Sequence, residues 1–301
     1  MSYLVLDFGG SAVKCAVMTE KAEILEQFSV PSQVGSYETW LDAFEPYFHR
    51  CNDEFDVRGI AISTCGAVDV DTGFIHGSSA LPYIHGFDVK SLFESKFGVP
   101  TEIENDACCA SLAESWLGAG KDSDHFSLLV IGTGIGGAVV TNQQVMKGHN
   151  LHGGEFGFTI LEYQNEKPVI FGHLASTQSL VNMAADALNV PKDSLNGIQV
   201  FELFDAQDTI IKKVVDKWLG YLATGIINIQ YSVDPELIII GGAISRRHDL
   251  IELIKRKISE ILTSVPEARI VPNVKTSEFG NDANLIGALK HYLNRQGYNN
   301  E

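Results

Sequence analysis

The chain has 301 residues, 45% apolar and 20% charged, an ordinary globular make-up with room for two domains and a sizeable core. No run approaches the roughly 20 apolar residues of a membrane helix, and the start runs directly into Tyr3-Leu4-Val5-Leu6 without a basic leader, so a cytoplasmic protein with no membrane partner is expected. A net charge of -16 with no basic stripe argues against a nucleic-acid partner, and the cysteines (Cys15, Cys51, Cys65, Cys108, Cys109) lack disulfide-framework spacing and read as reduced thiols.

In chain order, Leu4–Leu6 and Val13–Met18 read as two strands of a hairpin with Gly9, Gly10 and Ser11 at its tip. Residues 36–50 read as a helix with Trp40, Phe44, Tyr47 and Phe48 on one face. A buried strand at 58–63 leads into Cys65-Gly66-Ala67. A helix follows at 88–97, then a strand at 101–104 that ends at Asn105-Asp106, then a small-residue helix at 107–117 stopped by Gly118-Ala119-Gly120. Phe126–Ile131 is a strand, Gly132-Thr133-Gly134-Ile135-Gly136-Gly137 follows, and the strand resumes at Ala138–Val140 before turning at 141–143. Helices are expected at 174–189, 199–205 and 208–232, a strand at 237–240 running into Gly241-Gly242, and a last helix at 282–295 with Leu285, Ile286, Leu289 and Tyr292 on one face.

Strand, glycine turn, strand occurs at 4–18 and again at 126–140, each opening one half of the chain. Two such halves describe an α/β, two-lobed actin-like ATPase fold of ribonuclease H-like domains flanking a nucleotide and sugar cleft. The expected division is 1–118, completed by 282–301, and 119–281.

Gly132-x-Gly134-x-x-Gly137 matches the dinucleotide fingerprint in form, but that fingerprint must open a helix. Here Ala-Val-Val-Thr follows, which is strand, and no Gly-x-x-x-x-Gly-Lys-Ser/Thr loop is present. A hairpin whose backbone N–H groups approach phosphate is the functional reading, and an ordinary glycine turn the alternative. Asp7, just ahead of Gly9-Gly10, suits Mg²⁺ beside phosphates or a local turn. Asn105 and Asp106 serve equally as helix caps or, for Asp106, as a base near a hydroxyl nucleophile. Glu155 among Gly153, Gly154 and Gly157 suits paired sugar hydroxyls or is a surface loop residue. Gly241-Gly242 allows a nucleoside to pack on backbone or is a plain turn. His149 and His152 lack partner ligands and read as loop residues near substrate.

Taken together and in this order, these motifs resemble the ROK family (repressors, open reading frames and kinases) over nearly the whole chain. Asp7-Phe8-Gly9-Gly10-Ser11 is similar to its first phosphate hairpin, with Ser for the usual Thr. Glu104-Asn105-Asp106-Ala107 resembles its Glu-Asn-Asp-Ala segment, Gly154-Glu155-Phe156-Gly157 its sugar loop, and Ile240-Gly241-Gly242 its adenosine-side glycines. The resemblance implies an ATP- and Mg²⁺-dependent sugar kinase. Asp106 is then the catalytic base. ATP and metal contacts fall at Asp7, Gly9, Gly10, Ser11, Gly132, Thr133, Gly134, Gly136, Gly241 and Gly242. Sugar contacts fall at Gly66, Asn105, Asp106, His152 and Glu155. A homodimer is implied as well.

Two departures bear on substrate. Phe158 stands where the family has a histidine that touches sugar and binds zinc, and residues 161–177 lack the family's cysteines, so no zinc is expected. With Ala175-Ser176-Thr177 aligned to the family's Ala-Ser-Thr, its sugar-binding glutamate falls near Gly172. An opened pocket on the anomeric side, and a β-glucoside substrate, are the expectation. A non-catalytic sugar sensor of the same family is the rival. A regulator would carry a helix-turn-helix ahead of the first hairpin, and an acetate-kinase-like enzyme is disfavoured by length and by the Asn105-Asp106 pair.

Overall fold

A computed structural model describes residues 1–32, 36–77 and 81–298; the last three residues of the expected C-terminal segment, 299–301, lie outside the described residues. Contacts divide the chain into two units. Met1–Leu117, Lys147–His152 and the chain from Asp282 form the first, and Gly118–Met146 with Gly153–Asn281 the second.

In the first unit, β1 (Ser2–Phe8), β2 (Ala12–Thr19) and β3 (Ile24–Pro31) form an antiparallel meander. Helix α1 (Tyr37–Phe55) leads to β4 (Val57–Thr64). A ribbon of β5 (Ala67–Asp69) and β6 (Phe74–His76) follows, then α2 (Val89–Phe97), β7 (Thr101–Asn105) and α3 (Asp106–Trp116). Strands β4 and β7 run parallel to β1, giving the order β3-β2-β1-β4-β7. Strand β1 is buried along nearly its whole length, which explains its unbroken apolar run: a central strand covered on both faces shows no alternation. Helix α1 starts where the Ser36 side chain accepts a hydrogen bond from the Thr39 N–H and ends at Asp56 in the left-handed region. It outruns its expected end by a turn, and Tyr47 departs from the buried face: it is 39% exposed and stacks on Phe28, while Trp40 and Phe44 stack inside at 4.7 Å.

The second unit repeats the scheme. Strands β8 (His125–Ile131), β9 (Ile135–Thr141) and β10 (Gln144–Val145) are followed by a ribbon of β11 (Ile160–Gln164) and β12 (Lys167–Ile170). Helices α4 (Phe171–Ala175), α5 (Thr177–Leu188), α6 (Gly197–Asp205) and α7 (Thr209–Val233) precede β13 (Leu237–Gly241), α8 (Leu250–Ser264) and β14 (Val274–Thr276). The order β10-β9-β8-β13-β14 copies the first sheet strand for strand, with β13 and β14 again parallel to the first strand. The helix expected at 174–189 is broken at Ser176, which ends α4 and caps α5 by accepting from the Ser179 N–H; its carbonyl takes the Trp218 indole N–H at 3.0 Å. Strand β9 begins at Ile135, so Gly136 and Gly137 are strand residues rather than part of the turn.

Helix α9 (Ala283–Arg295) returns to the first unit and packs on α3 so closely that a Cβ at Gly287 would lie 1.6 Å from the Cys109 carbonyl oxygen. Its buried stripe is Leu285, Ile286, Leu289 and Tyr292, as the periodicity predicts. No helix among the described residues is long and apolar enough to cross a membrane.

Candidate active site

Parallel strands bring their carboxyl ends to one sheet edge, where ligands of open α/β sheets collect. In the first unit Asp7 on β1 lies in register with Ser63 on β4, Ser63 with Glu104 on β7, and Thr64 with Asn105. Asp7 is buried. Its Oδ1 accepts from the Ser63 hydroxyl at 2.9 Å and from Asn284 Nδ2 at 3.1 Å, and its Oδ2 lies 3.9 Å from the Lys14 ammonium. Burial pushes the Asp7 carboxyl up, against the pull of those two donors and of Lys14. Gly9 tightens the turn that follows, its N–H lying 3.1 Å from the Asp7 carbonyl and 3.2 Å from that of Ala12, while Ser11 is exposed at the tip beside Gly10.

The cap of α3 is Asn105. Its Oδ1 accepts from the N–H groups of Ala107 and Cys108 at 2.9 and 3.1 Å, and its Nδ2 donates to the Gly66 carbonyl at 3.0 Å. Gly66 makes that contact from φ +104°, with Ile75 filling the place of a side chain. Asp106 is the first residue of the helix; it is half-buried, and its Oδ1 accepts from the Ala107 N–H at 2.8 Å, which orients the carboxylate. Gly66, Asn105 and Asp106 are thus brought together. His152 is exposed, with Nδ1 2.6 Å from the Asn150 carbonyl oxygen.

In the second unit the β8–β9 hairpin turns at Gly132-Thr133-Gly134, where Gly132 N–H donates to the Gly134 carbonyl at 2.9 Å. A Cβ at Gly132, Gly134 or Gly136 would meet no atom within 4 Å, so packing does not require these glycines; what they provide is bare, accessible backbone. Gly137 differs, since a Cβ there would lie 2.6 Å from Phe156. A cavity of about 640 Å³ opens beside the turn, lined by Gly132, Thr133, Thr177, Lys192, Asn196 and Ala243 among others. Gly241 and Gly242 end β13 immediately before Ala243. Gly242 sits at φ +90° with its α-carbon so near Ile131 that a Cβ would approach that carbonyl to 2.2 Å.

Glu155 is half-buried on a loop clamped to β9 from both sides. A Cβ at Gly154 would lie 2.6 Å from the Ala138 Cα, and one at Gly157 2.1 Å from the Ile135 carbonyl. Phe158 is 68% exposed, and Gly172 is buried with 3.3 Å between its Cβ position and the Gly157 carbonyl.

Among the described residues no group of three or more His, Cys, Asp and Glu side chains is placed to hold a metal ion. A hard divalent cation that keeps most of its waters needs only one or two carboxylates, and Asp7, buried and already oriented by two donors, fits that role. Three neighbours of these residues carry no signal in the sequence. Asn284 reaches Asp7 across 277 positions; Lys147 pairs with Glu104, and His291 lies 4.0 Å from Glu104. Contacts this distant in sequence leave no local pattern.

The profile of the ROK family matches residues 3–295. The chain is 31% identical to the beta-glucoside kinase of Listeria monocytogenes over 98% of its own length and 99% of that enzyme, and 30% identical to the beta-glucoside kinase of Klebsiella pneumoniae, covering 97% and 96%. A crystal structure of a ROK family protein from Streptococcus pneumoniae in complex with sucrose superposes with a TM-score of 0.91 at 32% identity, covering 99% of this chain and 100% of that one. The α/β fold of actin-like ATPase type expected from the sequence is the fold found, and the chain belongs to the ROK family.

Proposed function

We propose that this ROK-family carbohydrate kinase transfers the γ-phosphoryl group of ATP to the 6-hydroxyl of a hexose or β-glucoside, with Asp106 as the base. The observation that carries the reading is the division of labour at the head of α3. Asn105 takes the capping task and the Gly66 carbonyl, so capping alone does not account for the oriented, half-buried carboxylate beside it.

In this reading Asp106 accepts the proton of the sugar hydroxyl as that oxygen attacks phosphorus, and Asn105 and Glu155 orient neighbouring hydroxyls. The bare backbone at Thr133, Gly134 and Gly136, with Gly10 and Ser11, offers N–H groups to phosphate oxygens, while Gly132 and Gly9, whose own N–H groups close the two turns, let the phosphates approach and the cavity beside Gly241–Ala243 takes the nucleoside. Asp7 would hold Mg²⁺, which when bound neutralises charge on the phosphates. Phe158 and Gly172, in place of a zinc-binding histidine and a sugar-binding glutamate, favour a substrate with a group beyond the first ring, and no zinc enters this reading. We assign the protein to the cytoplasm as a homodimer that binds no nucleic acid; the charge of -16 supports the last point and family resemblance the dimer.

The test is ADP release with Mg²⁺-ATP, without added zinc, across glucose, mannose, fructose, N-acetylmannosamine, N-acetylglucosamine, cellobiose and gentiobiose. Turnover is expected, with the disaccharides preferred. Preference for free glucose would remove the glycoside reading, and silence from folded protein that still binds sugar would replace the kinase by a sugar sensor.

A further inference from the structure

Lys147–His152 follows β10 in sequence yet belongs by its contacts to the first unit. The segment has no regular structure of its own, and Gly148 and Leu151 stand at φ +71° and +62°. Its one ion pair among the described residues joins a part-buried lysine to a buried carboxylate: the Lys147 side chain is 19% exposed, and that of Glu104 4%. That carboxylate stands one residue ahead of Asn105 and two ahead of Asp106. Its Oε1 accepts both from Lys147 and from the Asn105 backbone N–H, the latter at 2.6 Å, so a single oxygen joins the lysine to the backbone one residue ahead of the proposed base.

The charges around this oxygen make the lysine necessary. Burial pushes the Glu104 carboxyl up, opposed first by Lys147, then by the Asn105 N–H and by Arg295. His291, on the far side, is held neutral by burial and donates no compensating charge. Burial alone would lower the Lys147 ammonium, but the adjacent carboxylate outweighs it and holds the lysine charged. Take Lys147 away and Glu104 becomes a buried anion whose nearest partner is the backbone of Asn105. Such an anion either takes up a proton or shifts toward water, and the peptide it holds shifts with it.

We propose that Lys147 is a positioning residue for sugar phosphorylation: through Glu104 it fixes the peptide carrying Asn105 and Asp106, and with the same ion pair it anchors the segment that ends at His152. The inference rests on the reading of Asp106 as the base. It predicts that the lysine acts on the sugar side of the reaction and leaves the nucleotide side untouched.

The experiment is steady-state kinetics of the full chain on its best sugar, with Lys147→Met, Lys147→Arg, Glu104→Gln and the Glu104→Gln/Lys147→Met double variant. A misplacement on the scale of an ångström costs about a hundredfold, so Lys147→Met should lower kcat/KM for sugar by about that factor with KM for Mg²⁺-ATP within about twofold. Lys147→Arg should recover most of the loss. The double variant, which removes the orphaned anion together with the lysine, should be at least about tenfold better than Lys147→Met. Losses that multiply in the double variant, or a KM for ATP that rises in step with that for sugar, would overturn the proposal. If Lys147→Met fails to fold, the arginine and double variants, read against Glu104→Gln, still decide it. An Asp106→Asn variant run alongside separates the two readings. Should it keep near-normal kcat, the assignment of the base fails; should it be inactive while Lys147→Met is normal, only the positioning role fails.

Discussion

The two five-stranded sheets have one strand order and carry opposite chemistry at the same place. One position before the last pair of each hairpin, the first sheet holds Asp7 opposite Lys14, and the second holds Val130 opposite Gly136. On the neighbouring parallel strand Asp7 faces Ser63, and Val130 faces Gly241. Aspartate, lysine and serine in one unit thus correspond to valine and two glycines in the other. A duplicated scaffold fixes where strand ends lie, and the side chains there decide the task. In the proposed reading the first unit concentrates charge for handling a metal and a proton. The second clears side chains away and leaves open backbone beside a cavity, which in that reading meets a polyphosphate nucleotide.

The comparison breaks most visibly at the charged end. Removing a general base costs about 10²–10⁴ in rate, so Asp106→Ala is expected to lose most of kcat while calorimetry still detects sugar binding. An active Asp106→Ala protein would leave the first unit without its assigned chemistry. At the bare end, two glycines that look alike in sequence should behave differently. Gly242→Ala forces a side chain onto φ +90° and into the Ile131 carbonyl, and about 3–5 kcal/mol of stability should go, read as a large fall in Tm. Gly134→Ala meets nothing, so Tm should hold while KM for ATP rises about tenfold. If Gly134→Ala bound ATP normally, the open backbone would have no ligand to explain it.

Much of this contrast is legible in the sequence, because hairpin, glycine and strand-end residues are local features. The strands around both glycine turns, the helix after Asn105 and the face of α9 all follow from apolar runs and spacing. Strand β3 does not, since Ile24 and Leu25 are exposed at a sheet edge and the run through Glu26, Gln27 and Ser29 reads as polar loop. Helix α8, absent from the expected elements, is legible in its spacing: Leu250, Leu253, Ile254 and Ile258 are buried at helical intervals. The break at Ser176 has no strong signal, as a serine inside an apolar helical pattern is common and its role as cap appears only with Trp218 in place. At the site, Asp7, Asn105 and Asp106 announce themselves by their neighbours in sequence. Asn284 reaches Asp7 from 277 positions away, Lys147 and His291 reach Glu104 from 43 and 187, and only the fold brings them there.

A change of pH sharpens the comparison further. His291 is buried against Glu104, with Nε2 unpartnered among the described residues, and desolvation first, then the charges of Lys147, Arg295 and Lys90, lower its pKa to about 3. The folded chain therefore refuses a proton that the unfolded chain accepts near pH 6.5. Stability from this group is complete above that value and is lost as pH falls toward 3. Asp7 and Glu104, whose carboxyls burial pushes up, act in the opposite sense: the folded state takes their protons first, and their share grows as pH falls. The histidine effect must therefore be read as a difference between variants. Between pH 7 and pH 5 the wild type should lose about 2 kcal/mol more than His291→Gln in chemical denaturation. Equal pH slopes for the two proteins would mean that His291 takes its proton in the folded state too, and that the charged end of the first unit is wetter than its packing indicates.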